Sequence, residues 1–313
     1  MNTYMQETVE ALNFSAISLG DKALYEQYLR DGREHGCEYS FINLYLWGRQ
    51  RAALLHDHIV LFSQFNRRSI YPYPIGRGDK KPVLDAIIAD AARRGIACRI
   101  SSLGEEEKEM LESLYPGKFR FHCDRDAFDY VYGIDDLADL KGKKYHGKRN
   151  HFYRFRDAHP NYTVVPLDEK TLGSAMQMAD AWYAEKLIEN PDGDFQMEQA
   201  AIAKAFRHYR ELGIEGLILM DGDEVLAITM GSRLSENTFD IHFEKARADV
   251  DGAYTAINCE FARYLREKYP ELEFLNREDD MGIEGLRKAK LSYKPHHMIE
   301  KYWACLLEDD CDY

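Results

Sequence analysis

Two short stretches of this sequence carry side chains that could do chemistry. Thr238–Lys245 reads as a strand, and alternation puts Asp240, His242 and Glu244 on one face and Phe239, Ile241 and Phe243 on the other. Three ionisable groups in a row on an interior-looking strand suit a general base in a cleft. An ammonium must lose a proton before it attacks an acyl carbon, and a carboxylate or imidazole accepts that proton directly or through water. The competing reading is a solvated strand face. The second stretch, Asn276-Arg277-Glu278-Asp279-Asp280-Met281-Gly282, sets three carboxylates after an arginine at a strand-to-helix junction. Asp279 or Asp280 would cap the helix beginning near Ile283. One cap needs one carboxylate, so the surplus suits a cationic amine or a second base. Glu244 and Glu278 are the first candidates to take a proton, with His242 and Asp280 in reserve. No histidine pair accompanies the acids, so no metal site is expected.

Basic residues follow close behind. Arg287, Lys288, Lys290 and Lys294 fall within eight positions, and Arg287 and Lys290 share a helix face. They could hold a phosphate or pair with the neighbouring acids. Tyr293 is a candidate general acid for a leaving group. Upstream, Lys141–Arg156 reads KGKKYHGKRNHFYRFR, with seven Lys or Arg, two His and no acid. At about 100° per residue Tyr145, Phe152 and Phe155 share a face, with Lys143, Asn150 and Arg154 opposite. The segment reads either as a local anion-binding surface or as an interdomain helix pairing with excess acid.

The elements that must position these groups fit a chain of 313 residues, enough for about two domains at roughly 150 residues each. Lys and Arg number 41 against 54 Asp and Glu, so the net charge of −13 excludes a broadly basic nucleic-acid coat but not a local basic site. Six scattered cysteines with no C-x-x-C pair read as reduced, mostly buried thiols. The start carries Glu7 and Glu10 and no apolar run, and no stretch approaches the ~20 apolar residues of a membrane span. A soluble, cytoplasmic protein without integral membrane association is expected.

In the first half the patterns predict a strand over 12–19, helices over 21–30 and 40–49, and a hairpin of 52–55 with 59–65. They continue with an extended Tyr71–Pro74, a helix from Pro82 to Arg94 stopped by Gly95, a strand at 96–100, a helix near 105–114 and strands at 119–121 and 126–132. The second half reads as a strand (162–167), helices (168–189, 197–212) and an antiparallel meander (215–220, 224–233, 238–245). A helix (254–269), a strand (273–276), a short basic helix (283–290) and a last strand (298–306) follow.

That order resembles the GNAT acyltransferase fold, and the first half holds enough elements for a degenerate copy. The expected class is α/β (α+β): tandem GNAT-like domains over 13–135 and 161–313, joined by a basic helix over 136–160. Order alone sets no chemistry. GNAT enzymes hold the coenzyme A pyrophosphate at the loop that here reads KARADVDGAY. Only Gly252 and Ala253 match their signature, Arg247 is too far back, and Asp249 and Asp251 would repel phosphate.

A closer resemblance is to the bacterial family related to the C-terminal domain of phosphatidylglycerol lysyltransferase. It rests on Glu38-Tyr39-Ser40-Phe41-Ile42-Asn43-Leu44 with Trp47, and on Tyr145–His151. It rests most on Glu244-Lys245-Ala246, Gly252-Ala253-Tyr254, and Asn276–Gly282 with Gly285–Lys290. It covers about residues 13–305. It implies an acyl- or aminoacyltransferase whose donor is aminoacyl-tRNA or an acyl thioester such as a coenzyme A ester, and whose acceptor is an amine or hydroxyl. Lys148, Arg149, Asn150, Lys245, Tyr254, Arg277, Arg287, Lys290 and Tyr293 are the candidate binding residues, and in such an enzyme the basic segment 141–156 would meet the phosphates of a tRNA acceptor arm or an anionic head group. The rivals are an acetyl-CoA-dependent N-acetyltransferase and a binding module that kept the fold without the chemistry.

Overall fold

The computed structural model describes residues 10–29, 36–65, 68–191 and 195–307. The amino-terminal stretch, Arg30 and Cys311 lie outside them. The chain divides into two compact units. One comprises 1–33, 48–125 and 300–313, the other 34–47 and 126–299.

The first unit contains β1 (Ser15–Ala16), α1 (Lys22–Leu29), β2 (Gln50–Leu55), β3 (His58–Phe65), β4 (Arg68–Pro72) and β5 (Ile75–Gly76). Then come α3 (Lys81–Arg94), β6 (Arg99–Leu103), α4 (Glu105–Leu114), β7 (Phe119–Cys123) and, from the end of the chain, β15 (Tyr302–Leu306). The expected first strand shrinks to two residues, followed by a 3-10 turn at Leu19–Asp21. The sheet order is β1-β2-β3-β4-β6-β15-β7, with β5 beside β3. The hairpin between β2 and β3 turns through His56 and Asp57, both with positive φ. Tyr71, Val83, Leu84, Ile87, Ile100 and Leu111 fill the core of this unit.

The second unit contains α2 (Phe41–Trp47), β8 (Asp129–Gly133), α5 (Ile134–Asp139), α6 (His146–Ala158), β9 (Thr163–Pro166), α7 (Leu172–Glu189), α8 (Gln196–Arg207) and α9 (Tyr209–Leu212). It continues with β10 (Glu215–Asp221), β11 (Glu224–Arg233), β12 (Thr238–Ala246), α10 (Ala253–Lys268), β13 (Phe274–Asn276), α11 (Glu284–Leu291) and β14 (His297–Ile299). One helix was expected over 197–212; the structure breaks it at His208. The basic segment does not run as a helix from Lys141. Gly142, at φ 84, precedes a 3-10 turn over Lys143–Tyr145, and α6 starts at His146. Its aromatic face is as expected: Tyr145, Phe152 and Phe155 are buried in the core with Leu217, Leu219, Phe239, Ile257 and Leu265. Burying each such side chain is worth about 1.5–3 kcal/mol.

The sheet of the second unit runs β14-β8-β13-β12-β11-β10-β9. Each sheet has a three-stranded antiparallel meander, then a helix, then a strand lying parallel to the last meander strand: β4 with β6 and β12 with β13. In each the next position is filled from the other half of the sequence. β15 pairs with β6 and β7, whereas β8 pairs with β13 and β14. This exchange corrects the expected boundaries at 135 and 161. It also splits the expected strand over 298–306 into β14 and β15, which belong to different sheets. The two halves are versions of one fold that trade a strand, and α6 packs within the second unit.

Cys37, Cys98 and Cys259 are buried thiols, and Cys123 is an exposed thiol. Cys305 is disulfide-bonded, against the expectation of reduced thiols throughout. No helix among the described residues is long and apolar enough to cross a membrane.

Candidate functional site

The acids and bases singled out in the sequence gather on β12, β13 and the turn after it, all within the second unit. β13 lies parallel to β12 with Asn276 opposite Asp240. The chain then passes through Arg277–Gly282 into α11, with Glu278 and Met281 at positive φ. Non-glycine residues held there store strain of order 1–3 kcal/mol, which tends to accumulate where side chains must be aimed. β12 carries a bulge. Met230 opposes Phe243 and Gly231 opposes Ile241, so His242 is the extra residue. Gly231 is required there, since a Cβ would stand 2.2 Å from the Asp240 carbonyl oxygen. The strand face is not solvated: Asp240 and His242 are buried and Glu244 is nearly so.

The candidate groups separate into three clusters. In the first, Arg277 Nη2 donates to Glu244 Oε1 at 2.9 Å and Asn258 Nδ2 to Oε2 at 3.2 Å. Both carboxylate oxygens are engaged, so Glu244 fixes the arginine. The Tyr293 ring carries the Arg277 guanidinium at 4.8 Å and the Lys148 ammonium at 3.7 Å from its centroid. Burial, with Arg277 nearby, pushes the Lys148 amine down to about 8, against the pull of Glu244. Burial pushes the Tyr293 phenol up to about 12, and its hydroxyl points to Thr255 Oγ1 at 3.4 Å. The cations meet its ring, so the geometry does not present Tyr293 as an acid.

In the second cluster, His242 Nδ1 faces Glu278 Oε1 at 3.4 Å and Asp240 Oδ2 at 3.5 Å. Its Nε2 meets Ser232 Oγ at 2.7 Å, and Asn43 Nδ2 donates to Glu278 at 2.9 Å.

The third cluster corrects two assignments. Asp280 accepts from Tyr130 at 2.5 Å, from the Gly282 N–H at 2.9 Å, and from Arg287 at 2.8 and 2.7 Å. Arg287 also reaches Asp126 at 2.6 Å. Asp280 is an anchor rather than a reserve base, and the Arg287 charge is already met by carboxylates. The helix cap is corrected too: Asp279 and Asp280 bond the N–H groups of Met281 and Gly282, while Ile283 stands at the N-cap of α11.

The Arg287 guanidinium holds the Asp280 carboxyl well below its usual range. A carboxylate depressed in the folded state adds stability above its unfolded pKa of ~4, and that contribution is lost as pH falls through the folded value. Asp280→Asn is therefore expected to lower the melting temperature at pH 7 and to narrow its gap from the wild type as pH falls well below 4. A gap that widens on acidification contradicts this account.

Other expected binding residues are tied down locally. The buried Lys290 amine donates to the carbonyls of Arg277 and Asp279, fastening the turn. Lys245 is buried against Glu198 at 2.8 Å and the Trp182 ring at 4.0 Å. Tyr254 accepts from Trp182 Nε1 at 3.0 Å. Arg149 donates to the carbonyls of Leu140 and Gly142. Asn150 is exposed, 3.5 Å from His146. In the basic segment, Lys141, Lys144 and Arg154 pair with Asp139, Asp136 and Asp251, whereas Lys143 and Arg156 have no acidic partner among the described residues.

The loop before α10 is built unlike a phosphate cradle. Asp249 pairs with Arg247 at 2.7 Å, and Asp251 with Arg154 at 2.8 Å. The Ala253 N–H is spent on the Val250 carbonyl at 3.2 Å. Gly252, at φ 83, lies under α6, where a Cβ would stand 2.3 Å from the His151 carbonyl oxygen. Beside the loop a cleft of about 560 Å3 is lined by Trp182, Glu185, Asp223, Glu224, Arg247 and Asp249 among others.

The phosphatidylglycerol lysyltransferase C-terminal family matches residues 29–305, most of the chain. The chain belongs to that family. A conserved protein of unknown function from Bacteroides thetaiotaomicron is 35% identical and superposes with a TM-score of 0.89, covering 94% of this chain and 99% of that one. L-PGS from Bacillus licheniformis is 17% identical with a TM-score of 0.67, covering 93% of each chain, and shares the fold. An uncharacterised protein of Mycoplasmoides gallisepticum is 21% identical over 207 residues, 66% of this chain; the match spans 64% of that relative. Family and fold support a GNAT-like acyl- or aminoacyltransferase resembling the lysyltransferase C-terminal domain.

Three residues of these clusters escaped the sequence reading. Asn43 was visible as the one amide in the apolar run Phe41–Trp47 of this lysyltransferase-family chain. Ser232 and Asn258 gave no signal, because the bulge and the packing of α10 bring them in.

Proposed function

We propose that this chain moves an aminoacyl group from an aminoacyl ester, the 3′ end of an aminoacyl-tRNA, to a hydroxyl or amine acceptor. The observation that carries the choice of donor is the loop before α10. Its aspartates, its spent Ala253 N–H and the α6 backbone over Gly252 disfavour a coenzyme A pyrophosphate. The acidic cleft beside it suits a cationic group and repels a diphosphate.

The reaction needs a base, a donor for the oxyanion, and a proton for the leaving ribose oxygen. Lys148, with its pKa near 8, takes the acceptor proton as the neutral amine. The acceptor oxygen or nitrogen bonds to the carbonyl carbon, and the negative charge on the carbonyl oxygen meets Arg277. Glu244 holds that guanidinium in place, and its Nη1 is buried with no acceptor among the described residues. The ester C–O bond breaks and Lys148 returns the proton to the ribose. Lys143 and Arg156 offer charge to tRNA phosphates.

Calorimetry with an aminoacyl-adenosine amide, a stable mimic of the tRNA end, and with coenzyme A tests the donor. The mimic is expected to bind and coenzyme A to give no heat. Coenzyme A binding with no response to the mimic overturns the reading.

A further inference from the structure

We propose that Asp240, His242 and Glu278 bind one divalent cation of the zinc or manganese class, with Asn43 as the fourth ligand. Its three ionisable ligands are not members of the Lys148–Glu244–Arg277 cluster, and the site does not rest on the transfer reaction. The ligand atoms of Asp240, His242 and Glu278 all lie within 4.8 Å of one another.

Spacing is the first argument. Charge-assisted hydrogen bonds between an imidazole and a carboxylate settle near 2.7–2.9 Å. Here His242 Nδ1 stands 3.4 Å from Glu278 Oε1 and 3.5 Å from Asp240 Oδ2. Ligands at about 2.1 Å from a tetrahedral ion are about 3.4 Å apart, so the spacing is that of a coordination edge. A contrast lies in the same unit. Cys37, Glu38 and Asp129 also group ligand atoms, but Asp129 accepts from the Cys37 N–H at 2.7 Å and from Asn276 at 2.9 Å. That carboxylate sits at hydrogen-bond spacing.

The support of the imidazole is the second. Ser232 Oγ lies 2.7 Å from Nε2, which leaves Nδ1 as the ligating nitrogen, the usual arrangement for a metal-bound histidine.

Asn43 supplies the third. Its side chain is more than nine-tenths buried and aimed at the group, with Nδ2 2.9 Å from Glu278 and 3.4 Å from Asp240. Its Oδ1 is buried without a partner among the described residues. Rotating the amide gives up the Nδ2 bonds to the Cys37 carbonyl, Glu278 and Asp240 and turns Oδ1 toward the carboxylates. That costs energy unless a cation lies between them, and with one it completes a nitrogen and three oxygens. Two carboxylates, a neutral imidazole and a divalent ion sum to zero charge, which suits a buried site. The set is too nitrogenous for calcium, and too dry for magnesium, which keeps its waters. Glu278 retains 23% side-chain exposure, which gives an entry path.

Chelator-stripped protein is titrated with Co2+ as a spectroscopic probe and with Zn2+ in competition. About one equivalent of Co2+ is expected, with visible ligand-field absorption that Zn2+ abolishes, and Zn2+ is expected to raise the melting temperature. His242→Ala removes a ligand and is expected to eliminate the absorption. Ser232→Ala, which spares every ligand, is expected to weaken Co2+ binding roughly 10–100-fold and keeps the test open if His242→Ala fails to fold. No ligand-field absorption at a Co2+ excess overturns the proposal. So does absorption that survives both Glu278→Gln and Ser232→Ala unchanged. Lys148→Arg is expected to leave the absorption intact, so failure here and failure of the transfer reaction are separable.

Discussion

Lys148→Arg is expected to lower kcat/KM for aminoacyl transfer by about 10^2–10^4, the range of one general acid–base group. Arginine keeps the positive charge and the stacking on Tyr293 but cannot lose a proton near neutral pH. A Lys148 that only gripped phosphate would be replaced by arginine with little loss, so the substitution separates the two roles. Lys148→Met should be as inactive as Lys148→Arg, with thermal unfolding near that of the wild type, because the lost amine is disfavoured as a cation where it sits. The wild-type rate should rise with pH through about 8 and level off, since the neutral amine is the active form. The direction of change on mutation follows from the neighbours. Glu244 favours the ammonium, so Glu244→Gln should move the midpoint to lower pH. Arg277 disfavours it, so a loss of Arg277 should move the midpoint up.

Arg277→Met carries the largest expected cost in stability, about 3–5 kcal/mol by thermal or denaturant unfolding. It leaves Glu244 nearly buried, with Asn258 still donating but its charge partner gone. The double substitution Arg277→Met with Glu244→Gln should recover much of that loss, because a neutral pair has no charge to desolvate. A double mutant as unstable as the sum of the singles would mean that Arg277 acts by packing on Tyr293 and Tyr132 and not through Glu244.

Much of the second unit was legible because its signals are local. The alternation of β12, the meander turns at Asp221–Asp223 and 234–237, and the aromatic stripe of α6 all follow from residues a few positions apart. What stayed hidden is non-local. Nothing in the patterning of 126–132 or 298–306 says that these strands trade sheets, since either sheet offers the same apolar neighbours and open ladder. The site divides in the same way. That β12 and β13 would adjoin followed from fold order, but that Glu244 would pair with Arg277 did not. That Asp280 would meet Arg287 was readable as a pair seven apart on a turn and helix, yet charge alone could not tell an anchor from a base. The separation of Glu278 from Glu244 depends on a bulge at His242 and a positive φ at Glu278, and neither residue type announces its backbone. Lys148 was picked for its charge, whereas its proposed use depends on the burial that weakens that charge.

The central claim is that the Lys148–Glu244–Arg277 cluster transfers an acyl group from an aminoacyl ester. Single-turnover consumption of radiolabelled aminoacyl-tRNA, with a panel of hydroxyl and amine acceptors, measures it most directly. The account predicts that wild-type protein transfers the label to at least one acceptor and that Lys148→Arg slows this by about 10^2-fold or more. Acetyl-CoA consumed in place of every aminoacyl-tRNA, or label transferred equally well by Lys148→Arg, would contradict it.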